Sequence, residues 1–142
     1  LCLWTPLGRG SRECPGLVFG LEAGGSCHGV ALAIAPEHAR CELRLVWRRE
    51  MLAGAYVPRW VRLETGDGPV RAIAFVMNRD HHRYARGLSE AAKVDAVARA
   101  AGALGSCYDY VASTLDHLAE LGVRDPHLER IRRLAEARHA GD

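Results

Sequence analysis

The sequence predicts an α+β domain, a small mixed β-barrel or curved sheet with flanking helices. Two observations carry this. Up to about Met77, short β-rich runs alternate with glycine-containing turns, and one helical stretch lies between them. From Ser89 onward, apolar residues recur at helical spacing in three successive segments.

Taken in order, Gly16 to Leu21 reads as a short strand, Glu22-Ala23-Gly24-Gly25-Ser26 as a turn, and Cys27 to Ala35 as the strand that completes a hairpin. Pro36 followed by Glu37 suits the first turn of a helix, because proline lacks only an N–H that has no partner there and an acid meets the positive end of the dipole. That helix is expected to run from Pro36 to about Arg48. Tyr56 to Glu64 and Pro69 to Met77 are two more strands around Thr65-Gly66-Asp67-Gly68, whose glycines can take positive φ. Pro58 cannot donate to a ladder, so the first of these is an edge or is bulged. Val70 to Val76 is apolar on both faces and is expected in the core.

Ser89 caps a helix that is expected to end near Gly102. Ser106, with Asp109 three residues on, is a capping-box pattern for a helix carrying Val111, Leu115, Leu118 and Leu121 on one face and stopped by Gly122. Asp125 and Pro126 open a last helix, with Leu128, Ile131, Leu134 and Ala135 as its buried stripe.

Composition narrows the function. The chain has 142 residues, 49% hydrophobic and 25% charged, which suits a single domain over residues 1–142. Nineteen basic and seventeen acidic residues give a net charge of +2, which is no footprint for nucleic acid or an anionic membrane. No apolar run approaches the roughly 20 residues that span a bilayer. Cys2, Cys14, Cys27, Cys41 and Cys107 are odd in number and lack zinc-ligand spacing, so they read as reduced cytosolic thiols. Leu1-Cys2-Leu3-Trp4 resembles the tail of a strand, and the sequence is expected to be a fragment.

Among residues able to carry chemistry, Glu50 stands where a helix gives way to a glycine-containing loop, in Val46-Trp47-Arg48-Arg49-Glu50-Met51-Leu52-Ala53-Gly54-Ala55-Tyr56. On spacing alone, Arg48, Arg49 and Glu50 read as a solvated helix end. Asp80-His81-His82 offers metal-ligand chemistry of the kind some phosphoesterases use, but no further acids complete such a site, and a polar surface loop is the plainer reading. Cys27 and His28, adjacent on a strand, point to opposite faces and do not pair as nucleophile and base, so Cys27 reads as a small buried hydrophobe. Gly24-Gly25-Ser26 lacks the spacing and lysine of a phosphate loop. Trp4, Trp47 and Trp60 read as core or core-edge, and His117 and His127 as helix residues.

Several segments together resemble the ChaC family of γ-glutamylcyclotransferases. They are Cys14-Pro15-Gly16-Leu17-Val18-Phe19-Gly20-Leu21, Gly24-Gly25-Ser26-Cys27-His28-Gly29-Val30-Ala31, Arg48-Arg49-Glu50-Met51 with Gly54-Ala55-Tyr56, Phe75-Val76-Met77-Asn78, and Leu121-Gly122-Val123-Arg124-Asp125-Pro126-His127-Leu128. The resemblance runs from about Leu3 to Leu134 and implies the γ-glutamylcyclotransferase-like fold. It implies a cytosolic lyase that cyclises the γ-glutamyl group of glutathione, yielding 5-oxoproline and cysteinylglycine without metal or organic cofactor. It makes Glu50 the acid/base and sets Tyr56 near the γ-glutamyl group. The family's Tyr-Gly-Ser-Leu loop, which follows its first strand and holds substrate, would fall before Leu1, so a piece of the site is expected to be missing here. Apolar surroundings from Trp47, Met51 and Leu52 would suit a carboxylate that must exchange protons near neutrality. Glutathione or another γ-glutamyl small molecule is the expected partner, with nucleic acid and membrane excluded. The alternative is a non-catalytic γ-glutamyl-binding or interaction domain of the same fold.

Overall fold

The computed structural model describes residues 1–139. Its elements run β1 (Leu3–Thr5), β2 (Gly16–Val18), α1 (Ala39–Met51), β3 (Tyr56–Thr65), β4 (Gly68–Met77), α2 (Glu90–Arg99), β5 (Ala101–Gly102), β6 (Gly105–Ser106), α3 (Cys107–Glu120) and α4 (Pro126–His139). The class is α+β. The chain divides into two compact units: Leu1–Gly20 joined with the stretch from Ala85 onward, and Leu21–Tyr84.

In the first unit β1 and β2 pair antiparallel, with Leu3 opposite Val18, and Leu17 of β2 packs among the three C-terminal helices. Leu17, Val97, Cys107, Val111 and Ile131 are fully buried and define its core. The helix ends follow the sequence signals. Ser89 Oγ accepts the Ala92 N–H at 3.2 Å, Ser106 Oγ accepts the Asp109 N–H at 2.9 Å, and Asp125 Oδ1 accepts the Leu128 N–H at 3.0 Å. Each such cap contributes about 1 kcal/mol. At the end of α3 the Val123 N–H reaches the Leu118 carbonyl at 2.8 Å and the Gly122 N–H reaches Ala119 at 2.9 Å, the paired bonds of a Schellman stop.

Helix α2 ends at Arg99, short of Gly102, because the chain is needed for another purpose there. Ala100 turns extended, Ala101–Gly102 pairs with Gly105–Ser106, and Gly102 lies against the backbone of residues 8–10. A Cβ at Gly102 would sit 2.4 Å from the Gly8 carbonyl oxygen and 2.5 Å from that of Gly10. The same contact is fastened by the Leu104 N–H bonding Gly8 at 2.8 Å. Only glycine permits two backbones to approach so closely.

Cys107, the first residue of α3, is held by the backbone of Leu17: its Sγ lies 3.2 Å from the Leu17 carbonyl, to which it donates, and 3.4 Å from the Leu17 N–H, which it accepts. Burial pushes this thiol up in pKa, outweighing the opposing pull of the Leu17 bond and of Arg9. Tyr110 is pushed up for the same reason, although its hydroxyl accepts the Phe19 N–H at 3.3 Å.

In the second unit β3 and β4 form a ten-residue hairpin in register from Tyr56 opposite Met77 to Thr65 opposite Gly68. The positive φ falls on Gly68, at 107°, where the turn rejoins the strand. Helix α1 starts three residues after Pro36, past a turn in which the His38 N–H bonds the Ala35 carbonyl, and it extends to Met51 rather than stopping at Arg48.

Several expectations are corrected. The described residues form three separate two-stranded antiparallel sheets and no closed barrel. The segment Cys27–Ala35 is not a strand; Cys27 is exposed, as are Val30 and Leu32, because neither face of the segment has an element to pack against. What joins β4 from upstream is a single parallel bridge at Leu21, to Val76. Nor is β4 a core strand. Of its residues only Met77 is buried, and Val70 is exposed, since a two-stranded ribbon has no sheet neighbour to cover both faces. Trp60 is 65% exposed beneath the Arg71 guanidinium, 4.9 Å from its ring centre, and Trp47 is 42% exposed with its edge toward Phe75. Among the described residues, no helix is long and apolar enough to cross a membrane. All five cysteines are free.

Gly102→Ala is expected to lower stability by about 2–3 kcal/mol, read as a fall in thermal midpoint, since backbone rather than a movable side chain opposes the new methyl. A second expectation concerns pH. A thiol whose folded pKa is raised lends stability that is full below the ordinary thiol value of about 8.5 and is lost as pH climbs beyond it. The thermal midpoint should therefore decline between about pH 8 and 10, and less steeply in Cys107→Ser, whose hydroxyl can still donate to Leu17 without titrating in that range.

Candidate active site

Glu50 lies in the last turn of α1, one residue before its end. An acid there faces the negative end of the helix dipole, an unfavourable place that helix stability alone does not select. Arg48 and Arg49 in the same turn offset it. Arg49 contacts Glu50 through both Nε, at 2.7 Å, and Nη2, at 2.6 Å, and both contacts fall on the same carboxylate oxygen, Oε1. The Glu50 side chain is only 21% exposed, whereas that of Arg49 is 75% exposed. An ion pair with so exposed a partner is weak, and a competing ligand can displace it.

The apolar surroundings anticipated for Glu50 are only partly present. Leu52 is 89% exposed and turns away into solvent. Met51 is half-buried, and Trp47 leans on Phe75 with ring centres 6.0 Å apart.

Beyond α1 the chain turns sharply. The Gly54 N–H bonds the Met51 carbonyl at 3.2 Å, and Gly54 takes φ 67°, a left-handed conformation that favours glycine. Ala55 is buried at 1% exposure, and Tyr56 then opens β3. Thus four residues separate the end of α1 from the start of β3, and a half-buried tyrosine follows the half-buried acid across a tight turn.

This turn is gripped from one side. The Asn78 backbone N–H bonds the Ala55 carbonyl at 2.9 Å, Asn78 Nδ2 donates to the Gly54 carbonyl at 3.2 Å, and His81 Nε2 lies 2.9 Å from the Ala53 carbonyl. A carbonyl only accepts, so His81 carries its proton on Nε2, and its Nδ1 then accepts the Arg83 N–H at 3.3 Å. In sequence Asp80-His81-His82 read as a polar surface loop, with metal ligation the lesser alternative. The His81 ring packs on His82, centres 4.3 Å apart, and spends Nε2 on backbone. Among the described residues no three His, Cys, Asp or Glu side chains converge on a metal-sized space. Sequence reasoning missed the role of Asn78 and His81; the polar run after an apolar strand was the available signal.

The family described as ChaC-like protein matches residues 1–138. A relative from Escherichia coli (strain K12), the glutathione-specific gamma-glutamylcyclotransferase, is 37% identical over 128 residues, taking in 89% of this chain. The chain spans 55% of that protein's length. Two crystal structures of a glutathione-specific γ-glutamylcyclotransferase from yeast, one of them selenomethionine-labelled, superpose with TM-scores of 0.73 and 0.72 at 15% identity. They cover 96% of this chain and 82% and 84% of their own, and so share its fold.

Gly54→Ala is expected to lower stability by about 1–2 kcal/mol, the cost of a Cβ in the left-handed region. Nothing lies within 4 Å of the added carbon, so the effect is conformational rather than steric. Thermal melting measures it, and a midpoint equal to the parent's would show that the turn relaxes.

Proposed function

The chain belongs to the ChaC-like protein family, and from that premise we propose that it is a glutathione-specific γ-glutamylcyclotransferase, a lyase that converts glutathione to 5-oxoproline and cysteinylglycine in the cytosol. Identity of 37% to the E. coli enzyme of that name, across most of this chain, is the observation that carries the assignment. A poorly solvated acid beside a pinned glycine turn supports Glu50 as the proton carrier and Tyr56 as its neighbour on the γ-glutamyl group.

The chemistry explains why one carboxylate suffices. The α-amine of glutathione reaches its own γ-carbonyl carbon to close a five-membered lactam, and such intramolecular attack has effective molarities of about 10⁵ M or more. What remains for the protein is proton management and charge. The α-nitrogen enters as an ammonium and ends as a lactam N–H, losing two protons. The cysteinyl nitrogen enters as an amide N–H and leaves as an ammonium, gaining two. Glu50, initially a carboxylate, takes a proton from the α-ammonium, which frees the lone pair that attacks the γ-carbonyl carbon and forms the new C–N bond. It then delivers that proton to the cysteinyl nitrogen as the old C–N bond breaks, and the second proton follows the same route. The carboxylate is regenerated, and no electrons leave or enter the system.

The Arg49 contact fits a resting state. With its guanidinium on Oε1 the carboxylate is oriented, and arrival of the substrate's ammonium offers a competing cation.

Glu50→Gln keeps the side chain's shape and removes its proton exchange. In the full-length protein, folded by circular dichroism, this substitution is expected to cut cysteinylglycine release from glutathione about a hundredfold or more. Equal rates in parent and variant would remove Glu50 from the role. A folded parent that binds glutathione but never turns it over would favour a γ-glutamyl-binding domain.

A further inference from the structure

We propose that Asn78 and His81 are positioning residues for the cyclisation, acting as a clasp that sets where Glu50 stands relative to Tyr56. The inference rests on the function proposed above. Its structural basis is the hydrogen bonding of three consecutive carbonyls, Ala53, Gly54 and Ala55, to the single short segment after β4. These carbonyls belong to the only chain connecting Glu50 to Tyr56. Whatever holds them fixes the end of α1 against the start of β3.

The clasp is itself braced. Asn78 Oδ1 accepts the Asp80 N–H at 3.1 Å, so the amide is oriented with Nδ2 toward Gly54. The His81 N–H bonds the Asn78 carbonyl at 3.1 Å, the Tyr84 N–H bonds the His81 carbonyl at 2.8 Å, and the Arg83 N–H holds Nδ1. The imidazole therefore has both ring nitrogens engaged, and its proton is directed at Ala53.

Fold stability does not account for this investment of side chains. Ala53 and Gly54 are exposed, and their carbonyls could bond water instead, so each side-chain bond adds only about 1 kcal/mol net. Geometry is a different matter. A reacting carboxylate misplaced by about 1 Å loses rate on the order of a hundredfold, and an unpinned left-handed glycine turn allows displacements of that size. Loss of the clasp should thus appear in kcat while folding and substrate affinity are nearly retained.

The test uses the full-length protein with glutathione, comparing His81→Leu, His81→Gln, Asn78→Ala and Asn78→Asp with the parent. Thermal melting and amide hydrogen exchange over residues 52–56 are measured alongside. His81→Leu, Asn78→Ala and Asn78→Asp are expected to lower kcat about 10- to 100-fold with KM within about threefold, and to speed exchange in that segment. Asn78→Asp, which sets a carboxylate against the Gly54 carbonyl, should be at least as severe as Asn78→Ala. His81→Gln, which keeps an N–H within reach of Ala53, should recover most of the rate, a rescue that a merely space-filling histidine would not show. Folded variants with the parent's kcat overturn the proposal, as does failure of glutamine to do better than leucine at position 81. A parent that is inactive on glutathione overturns the function assignment instead. The clasp is then judged by exchange alone: unchanged protection in the variants overturns it, and faster exchange upholds it.

Discussion

A two-stranded ribbon does not hold its shape in water unaided, and the unit Leu21–Tyr84 depends on the backbone bonds made where that ribbon ends. At Met77 the chain leaves β4 and within a few residues fastens itself in two directions. Toward the helix side it takes the carbonyls of Ala53, Gly54 and Ala55. Toward the upstream side the Met77 N–H bonds Leu21 at 2.7 Å, Arg79 bonds the Ala23 carbonyl at 3.0 Å and pairs with Glu22, and the Tyr84 hydroxyl reaches Glu22 at 2.5 Å. With α1 burying none of its residues completely, these polar contacts fix the local path of the chain, each adding only about 1 kcal/mol net to stability. The unit from Ala85 onward is the contrast, built on fully buried Val97, Val111 and Ile131 and on capped helices.

What could be read from the sequence follows the same division. Helix starts at Ser89, Ser106 and Asp125 were legible because capping is a local event, decided by a side chain and an N–H three residues away. The hairpin from Tyr56 to Met77 was legible because its glycine-containing turn and the two β-rich runs beside it lie within one short stretch. Cys27–Ala35 was misread because strand formation requires a partner, and no propensity in those nine residues reveals whether one exists. The burial of Val70 to Val76 was misjudged for a related reason: apolarity on both faces states a requirement for cover, not its presence.

The candidate site divides likewise. Glu50 and Tyr56 are proposed for the site because they fall in a segment that resembles the ChaC family, a signal that spacing alone does not give. Asn78 and His81 lie more than twenty residues from the turn they hold, and their bonds go to backbone carbonyls, which carry no sequence signature. Asp80-His81-His82 read as a polar loop, and residue type alone does not announce that the fold uses one of its rings as a donor to main chain. Position against the helix dipole is the subtler clue at Glu50. An acid at the negative end of a helix is unfavourably placed, and two arginines beside it are needed to offset that placement.

The outer strand β3 has no strand neighbour among the described residues other than β4, so for ten residues it offers a row of backbone groups to any extended chain nearby. Pro58 interrupts the row of donors, and Arg59, Arg62 and Glu64 stand exposed along it. A visiting strand would have to strip water from those charges before gaining its hydrogen bonds. The strand that begins with Tyr56 thus carries, along its open edge, the proline and charges that raise the cost of strand addition.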